Sequence, residues 1–175
     1  NDNMLVVDIG GGSTEFVIGN ALQPDIMESL PLGCVTYSMR FFSDGKITSE
    51  RFERAVSNAR IEIQRISPEL KLHGWDFAIG SSGSARSIRD VIEAYDLSKH
   101  QLDAASMRVL AKKVIQAGSV KKAKLLNLKP DRTEVFLGGL AVMIAVFEEL
   151  SLESMSVTDA ALRDGVFFDM LGRDL

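Results

Sequence analysis

Apolar positions follow two rhythms along this chain. Residues 4–8 form an apolar, β-branched run that ends on Asp8, and Gly10, Gly11 and Gly12 break it. Residues 14–18 resume with strand-forming types, so the two runs predict a β-hairpin closed by a glycine turn. Residues 25–30 predict a third strand after Pro24. Gly33 and Cys34 open an aromatic-rich segment, residues 35–42, and Asp44-Gly45 reads as a turn. From Thr48 the rhythm becomes helical. Thr48 is placed as an N-cap with Glu50 in the first turn, where the helix dipole favours an anion. Phe52, Ala55, Val56, Ala59, Ile63 and Ile66 then recur at helical spacing, with Pro68 just beyond.

Further along, residues 75–79 predict a short strand and residues 80–84, Gly-Ser-Ser-Gly-Ser, a turn. Ala85, Ile88, Val91, Ile92 and Tyr95 mark the inner face of one helix. Met107, Leu110, Ala111 and Val114 mark another. Residues 121–130 are basic and irregular. Residues 133–150 predict a long helix whose middle is apolar on all sides and therefore buried. Residues 155–158 predict a last strand and residues 161–171 a last helix. No internal repeat or linker interrupts this order. It predicts an α/β layout with a mixed sheet, antiparallel at its start and parallel afterwards.

Composition narrows the picture. The 175 residues suit one domain, and 46% apolar with 25% charged residues excludes a largely disordered chain. One cysteine, Cys34, excludes a disulfide scaffold, and burial as a small hydrophobe is its expected role. The net charge of −4 argues against bulk electrostatic binding of nucleic acid or a membrane, while local basic patches remain open. The longest apolar run, residues 135–147, is shorter than the roughly 20 residues a membrane span needs. A cytoplasmic location is expected, with peripheral membrane association left open. The chain opens on Asn1 and enters a strand within a few residues, which reads as a segment of a longer protein.

Three short strands end directly in small or polar residues: at Asp8–Glu15, at residues 80–84 and at residues 158–163. In open α/β sheets ligands bind beyond the carboxyl ends of strands, so three converging ends would line one cleft. At the first, the glycines permit a tight turn and a close ligand, and amides of the loop can form an anion-binding concavity. Asp8 is placed to hold a divalent cation, directly or through water. Glu15 points opposite to Thr14 and Phe16 by the two-residue period. The plain alternative is a glycine hairpin with two solvated carboxylates.

At the second end, Gly80, Ser82 and Gly83 precede a helix N-terminus with Arg86 in its first turn, an arrangement that can bind phosphate. An ordinary N-cap at Ser82 or Ser84 beside a surface arginine is the competing reading. Arg163, one turn into the last helix, is either a phosphate contact or a surface ion pair. Lys121, Lys122, Lys124, Lys129 and Arg132 form a basic stretch suited to a polyanion or to solvent. His73 and His100 lack zinc-ligand spacing.

The segment Asp8-Ile-Gly-Gly-Gly-Ser-Thr-Glu15 resembles the second phosphate loop of the actin/Hsp70/sugar-kinase superfamily, and most closely the exopolyphosphatase and guanosine pentaphosphate phosphohydrolase family. Leu32-Gly-Cys-Val-Thr36, His73-Gly-Trp75, Gly80-Ser-Ser-Gly83, Phe136-Leu-Gly-Gly-Leu140 and Ala161-Leu-Arg-Asp-Gly165 resemble family segments in family order. The resemblance implies a single ribonuclease-H-like domain over residues 1–175, the second of two that close around an active site. It implies removal of terminal phosphate from polyphosphate or pppGpp by water, with Mg2+. Asp8 would help hold the metal. Amides of Gly10, Gly11, Gly12, Ser13 and Thr14 would cradle phosphate, and Glu15 would lie near the attacked phosphorus.

The other phosphate loop and the principal catalytic Glu would belong to the preceding actin-like domain, whose Asp-x-Gly-Ser-Asn-Ser motif is missing here. Ser81, Ser84, Ala160 and Asp164 depart from the usual family residues. Pro24, Glu28-Ser29 and Asp44-Gly-Lys-Ile47 lean toward the exopolyphosphatase branch, with pppGpp as the alternative substrate. A homodimer is left open. A module that binds phosphate or a nucleotide without catalysis is the reading from another class.

Overall fold

The structure, a computed structural model, describes residues 2–20 and 23–159. Strands β1 (Met4–Ile9) and β2 (Thr14–Gly19) form the expected hairpin, in register from Met4 opposite Gly19 to Ile9 opposite Thr14. Strand β3 (Pro24–Leu30) adds to β2, and β4 (Phe77–Gly80) lies parallel to β1 on its other side. Beyond β4 come β6 (Met155–Val157), parallel to β4, and β5 (Gln101–Leu102), antiparallel to β6. The sheet order is β3-β2-β1-β4-β6-β5. The antiparallel outer edge corrects the expectation of a sheet parallel after its start. A two-residue strand is too short to show a period in sequence.

The aromatic segment after Gly33 is helix α1 (Cys34–Phe42). Helix α2 (Ser49–Ile63) begins as expected, with the Thr48 hydroxyl accepting from the Arg51 N–H at 3.1 Å. It ends before Ile66, although Ile66 stays buried. The apolar spacing continues through a break to α3 (Ser67–His73), whose first turn carries Pro68. Helices α4 (Gly83–Ala94), α5 (Ala104–Ala117) and α6 (Val120–Ala123) follow. A 3-10 turn, Pro130–Arg132, precedes α7 (Phe136–Leu150), which starts three residues later than its pattern suggested. The last helix expected, at residues 161–171, lies outside the described residues. Among the described residues no helix is long and apolar enough to cross a membrane.

Strand alternation sends the two apolar sets of the sheet to opposite faces. Leu5, Val7, Ile9, Phe16 and Ile18 join one large cluster with the helices. Met4, Val6, Val17 and Ile79 form a separate cluster on the other face. Helix α7 is buried almost throughout, as its pattern required, and packs against α1 and α2. Its two glycines make that packing possible. A Cβ on Gly138 would lie 2.3 Å from the Cys34 carbonyl oxygen and 2.7 Å from the Ser38 nitrogen, while the Gly138 N–H donates to Ser38 Oγ at 3.0 Å.

An ion-pair network clamps α2, α5 and α7 at their far side. Arg60 reaches Glu149 at 2.8 Å and Glu148 at 3.1 Å, Gln64 donates to Glu149 at 3.0 Å, and Arg108 joins Glu148 to Glu53. Burial alone would raise the Glu149 carboxyl, but hydrogen bonds from Gln64 and Arg60 outweigh it and hold the carboxyl below its ordinary range.

Two expectations follow. Gly138→Ala should cost about 3 kcal/mol of stability, read as a lower urea midpoint at unchanged slope, because the clash is with backbone and cannot be relieved by a rotamer. A loss under about 0.5 kcal/mol would show that α1 and α7 separate freely. For Glu149, a depressed folded pKa contributes stability fully present above the unfolded value near 4.5 and lost as pH falls through the folded value. Glu149→Gln should therefore flatten the acid limb below pH 4.5 in a stability-against-pH series. Parallel acid limbs for the two proteins would overturn that assignment.

Candidate functional site

The hairpin turn is held from behind by a helix. Gly10 N–H donates to the Ser13 carbonyl at 2.8 Å and closes the loop on itself. The first amides of α1 have no intrahelical acceptors, and its N-cap, Gly33, offers no side chain. The loop supplies the acceptors. Cys34 N–H donates to the Gly10 carbonyl at 2.9 Å, and Val35 and Thr36 donate to the Gly11 carbonyl at 3.0 and 3.2 Å. In a trans peptide the carbonyl of one residue and the N–H of the next point opposite ways. The peptides here are trans, so the N–H groups of Gly11 and Gly12 point away from α1, on an exposed loop. Two successive amides displayed in this way suit an anion.

The glycines of the loop are not there for a left-handed backbone, since none of Gly10, Gly11 and Gly12 has a positive φ. A Cβ on Gly11 would make only ordinary contact, 3.4 Å from Val35 Cγ2. The indispensable glycine is Gly33, whose Cβ would sit 2.1 Å from the Gly11 carbonyl oxygen. Sequence reading missed this role, because Gly33 looked like simple punctuation before an unassigned segment.

One wall of the site comes from the sheet. Asp8 and Glu15 are cross-strand partners, so their side chains share a face, with Ser29 next in line on β3. Thr14 and Phe16 are fully buried on the opposite face, as expected from the period. One oxygen of Glu15 accepts from Ser13 Oγ at 2.8 Å and from Ser29 Oγ at 3.2 Å, which fixes its direction. Ser29 carried no motif; only the β2–β3 register reveals it.

The other wall is the N-terminus of α4. Ser82 caps it, accepting from the Ala85 N–H at 3.1 Å, the role the plain reading gave it. Arg132 lies against Gly83, and its Nη2 donates to Ser84 Oγ at 3.2 Å. The Nε of Arg132 is buried without a hydrogen-bond partner. Arg86 makes only a long contact, 3.4 Å, to the Asp159 carbonyl. Neighbouring Arg89 is paired with Asp90 and Asp159, but among the described residues no carboxylate pairs with Arg86 or Arg132. Of the basic stretch, Lys121, Lys122, Lys124 and Lys129 are exposed, and Arg132 alone turns into the site.

Between the walls lies a cleft of about 640 Å³. Asp8, Gly10, Gly11, Glu15, Ser82, Gly83, Arg86 and Arg132 line it, and Ile9, Met27, Cys34 and Val35 supply its apolar floor. A neighbouring cavity of about 460 Å³ shares Val35 but holds one carboxylate, Glu134, and no cation, so it does not suit a polyanion.

Some expected site residues also serve the scaffold. Gly80 is a packing glycine, because its Cβ would meet Ala85 Cβ at 2.9 Å and Met155 Sδ at 3.0 Å. The hydroxyl of Thr14 is buried and donates to the Leu32 carbonyl at 2.7 Å. The Gly10 amide is spent inside the loop. Cys34 is buried, as expected. Arg163 lies outside the described residues. No cluster of three or more His, Cys, Asp or Glu suited to a metal exists among them. The donors present are hard carboxylate oxygens, few in number, beside an anion cradle. That set fits Mg2+, which keeps several waters and is completed by phosphate oxygens.

Gly33→Ala should push the Gly11 peptide off α1 and weaken tripolyphosphate binding at least tenfold, while Gly11→Ala leaves the fold stable to within about 0.5 kcal/mol. Calorimetric titration and thermal unfolding read the two effects. Full affinity in Gly33→Ala would show that the α1–loop contact does not shape the site.

Known proteins carry the same architecture. The Ppx/GppA phosphatase family model matches residues 1–174. The Ppx/GppA enzyme of Aquifex aeolicus is 21% identical, with a TM-score of 0.78 over 95% of this chain and 56% of its own. An exopolyphosphatase of Cytophaga hutchinsonii is 18% identical, with a TM-score of 0.78 over 99% of this chain and 58% of its own. This chain thus spans little more than half the length of these solved proteins, and such identities speak to the fold alone. They agree with the ribonuclease-H-like class expected from the resemblance: a mixed six-stranded sheet with flanking helices. With the match running from residue 1 to residue 174, the chain belongs to the Ppx/GppA phosphatase family.

Proposed function

We propose that this chain forms one half of the active site of a phosphoanhydride hydrolase that releases terminal phosphate from inorganic polyphosphate. The observation that carries the reading is the cleft itself. Two guanidinium groups that have no carboxylate partner among the described residues, Arg86 and Arg132, face the same space as Gly11, whose amide points outward, and the carboxylates Asp8 and Glu15. The anionic ligand is a run of phosphates. Amides of Gly11 and Gly12 bind one phosphate, and Arg86 and Arg132 draw charge from its neighbours.

Asp8 is the residue to hold Mg2+, which when bound would neutralise charge on the phosphates. Glu15, held in place by Ser13 and Ser29, orders the attacking water. The reading that a preceding domain supplies the second phosphate loop and a further Glu is supported by the length of the solved relatives. The competing substrate is pppGpp. What favours it is the apolar floor of Ile9, Met27 and Val35, against which a purine can lie. Against it, among the described residues no aromatic side chain lines the cleft to stack on a base.

Phosphate release by the intact protein from long-chain polyphosphate and from pppGpp, compared as kcat/KM, separates the substrates. Asp8→Asn should lower both rates by about a hundredfold or more. Activity within a few-fold of wild type would remove Asp8 from the site and the reading with it.

A further inference from the structure

The register that pairs Asp8 with Glu15 and Ser29 continues across the sheet. Val7 lies beside Gly80, and Gly80 beside Val157. One residue on, the Ser81 N–H donates to the Val7 carbonyl at 3.1 Å and the Thr158 N–H to the Gly80 carbonyl at 2.9 Å. Ser81 therefore stands next to Asp8, and Thr158 next to Ser81. The two-residue period puts all five side chains, Ser29, Glu15, Asp8, Ser81 and Thr158, on the face that carries Val6, Val17 and Ile79 one step earlier. The carboxyl end of the sheet thus bears a polar row across five strands, with the apolar cluster beneath it.

Ser81 is the anomaly in that row. It is 1% exposed, and its Oγ is buried with no hydrogen-bond partner. A hydroxyl taken from water without a partner destabilises the fold. Alanine at this position would fill nearly the same space without that cost. The glycine loop, the Ser82 cap and the strand pairing all stand without the Ser81 side chain. The local fold does not use this hydroxyl.

We propose that Ser81 is a binding residue of the phosphate site, its hydroxyl left unpaired by the folded chain so as to meet a ligand oxygen brought to Asp8. The proposal rests on the assignment of Asp8 above. The ligand oxygen has two sources, the hydration shell of a divalent cation and a phosphate group. Each offers the hydroxyl a partner of the right polarity, since a serine both donates and accepts. Cation and phosphate are distinguished by titrating them separately.

The test compares the intact wild-type protein with Ser81→Ala, using magnesium chloride alone and tripolyphosphate alone in the presence of a chelator, by calorimetry and by thermal unfolding. Ligand-free Ser81→Ala should unfold at the same temperature as wild type or higher, because an unsatisfied group is gone. Its affinity for one probe should fall three- to tenfold, and that probe names the oxygen: a loss with magnesium points to the hydration shell, a loss with tripolyphosphate to the phosphate. Unchanged affinity for both, or a ligand-free variant that unfolds several degrees lower, would overturn the proposal. Asp8→Asn run alongside separates the two levels. If it too leaves both affinities and the activity intact, the site assignment fails; if it alone weakens binding, only the role of Ser81 does.

Discussion

The first three amides of α1 need acceptors, and the carbonyls of Gly10 and Gly11 provide them. Much else is fixed by that contact. The helix must approach the loop so closely that Gly33 cannot carry a Cβ. Each buried amide left without a partner would cost about 1–3 kcal/mol. Three bonds to one turn outweigh the single Gly10–Ser13 bond with which the loop closes on itself. The loop is therefore shaped mainly by the helix. Because its carbonyls are turned inward, its next amides are turned outward, and an anion cradle results from a capping requirement. The other side of α1 is pressed against α7 at Gly138, so the helix has little freedom to retreat.

The hairpin, the Thr48-capped helix and the buried α7 were legible because their signals are local. Alternation, a capping residue and an all-apolar helix can each be read from a few neighbouring positions. That Glu15 points opposite to Thr14 and Phe16 was legible for the same reason, since alternation along a strand is local. What could not be read is pairwise and distant. Gly33 and Gly11 meet across the chain, as do Gly80 and Met155, or Gly138 and Cys34. A glycine needed for such an approach looks no different in sequence from one that marks a turn. In sequence alone Gly80 accordingly reads as a ligand contact and Gly33 as punctuation. Five basic residues were likewise equivalent in sequence until a 3-10 turn aimed Arg132 inward and left the lysines in water.

The two ends of the molecule treat charge in opposite ways. At the α2–α5–α7 junction every guanidinium is matched: Arg60 with Glu148 and Glu149, Arg108 with Glu148 and Glu53. That network satisfies itself and needs no ligand. In the cleft, by contrast, among the described residues Arg132 has a buried nitrogen with no partner and Arg86 only a distant carbonyl. The carboxylates of Asp8 and Glu15 line the same space. Asp8 and Glu15 are fixed by strand pairing, and Arg86 and Arg132 by a helix start and a 3-10 turn, so the two sets are held apart by rigid elements.

A site held this way is incomplete for a ligand of a single sign. An anion drawn by the arginines and the loop amides meets two carboxylates, and a cation drawn by the carboxylates meets two guanidinium groups. Each repulsion is strong because the cleft is partly shielded from water. The proposed ligand, a polyanion with a divalent cation, would remove both conflicts at once, the cation toward Asp8 and the phosphates toward the amides and arginines. The charge pattern is thus more specific than either half suggests. It suits the magnesium and phosphate of the proposed reaction, and Ser81 neighbours Asp8 in the register of the sheet.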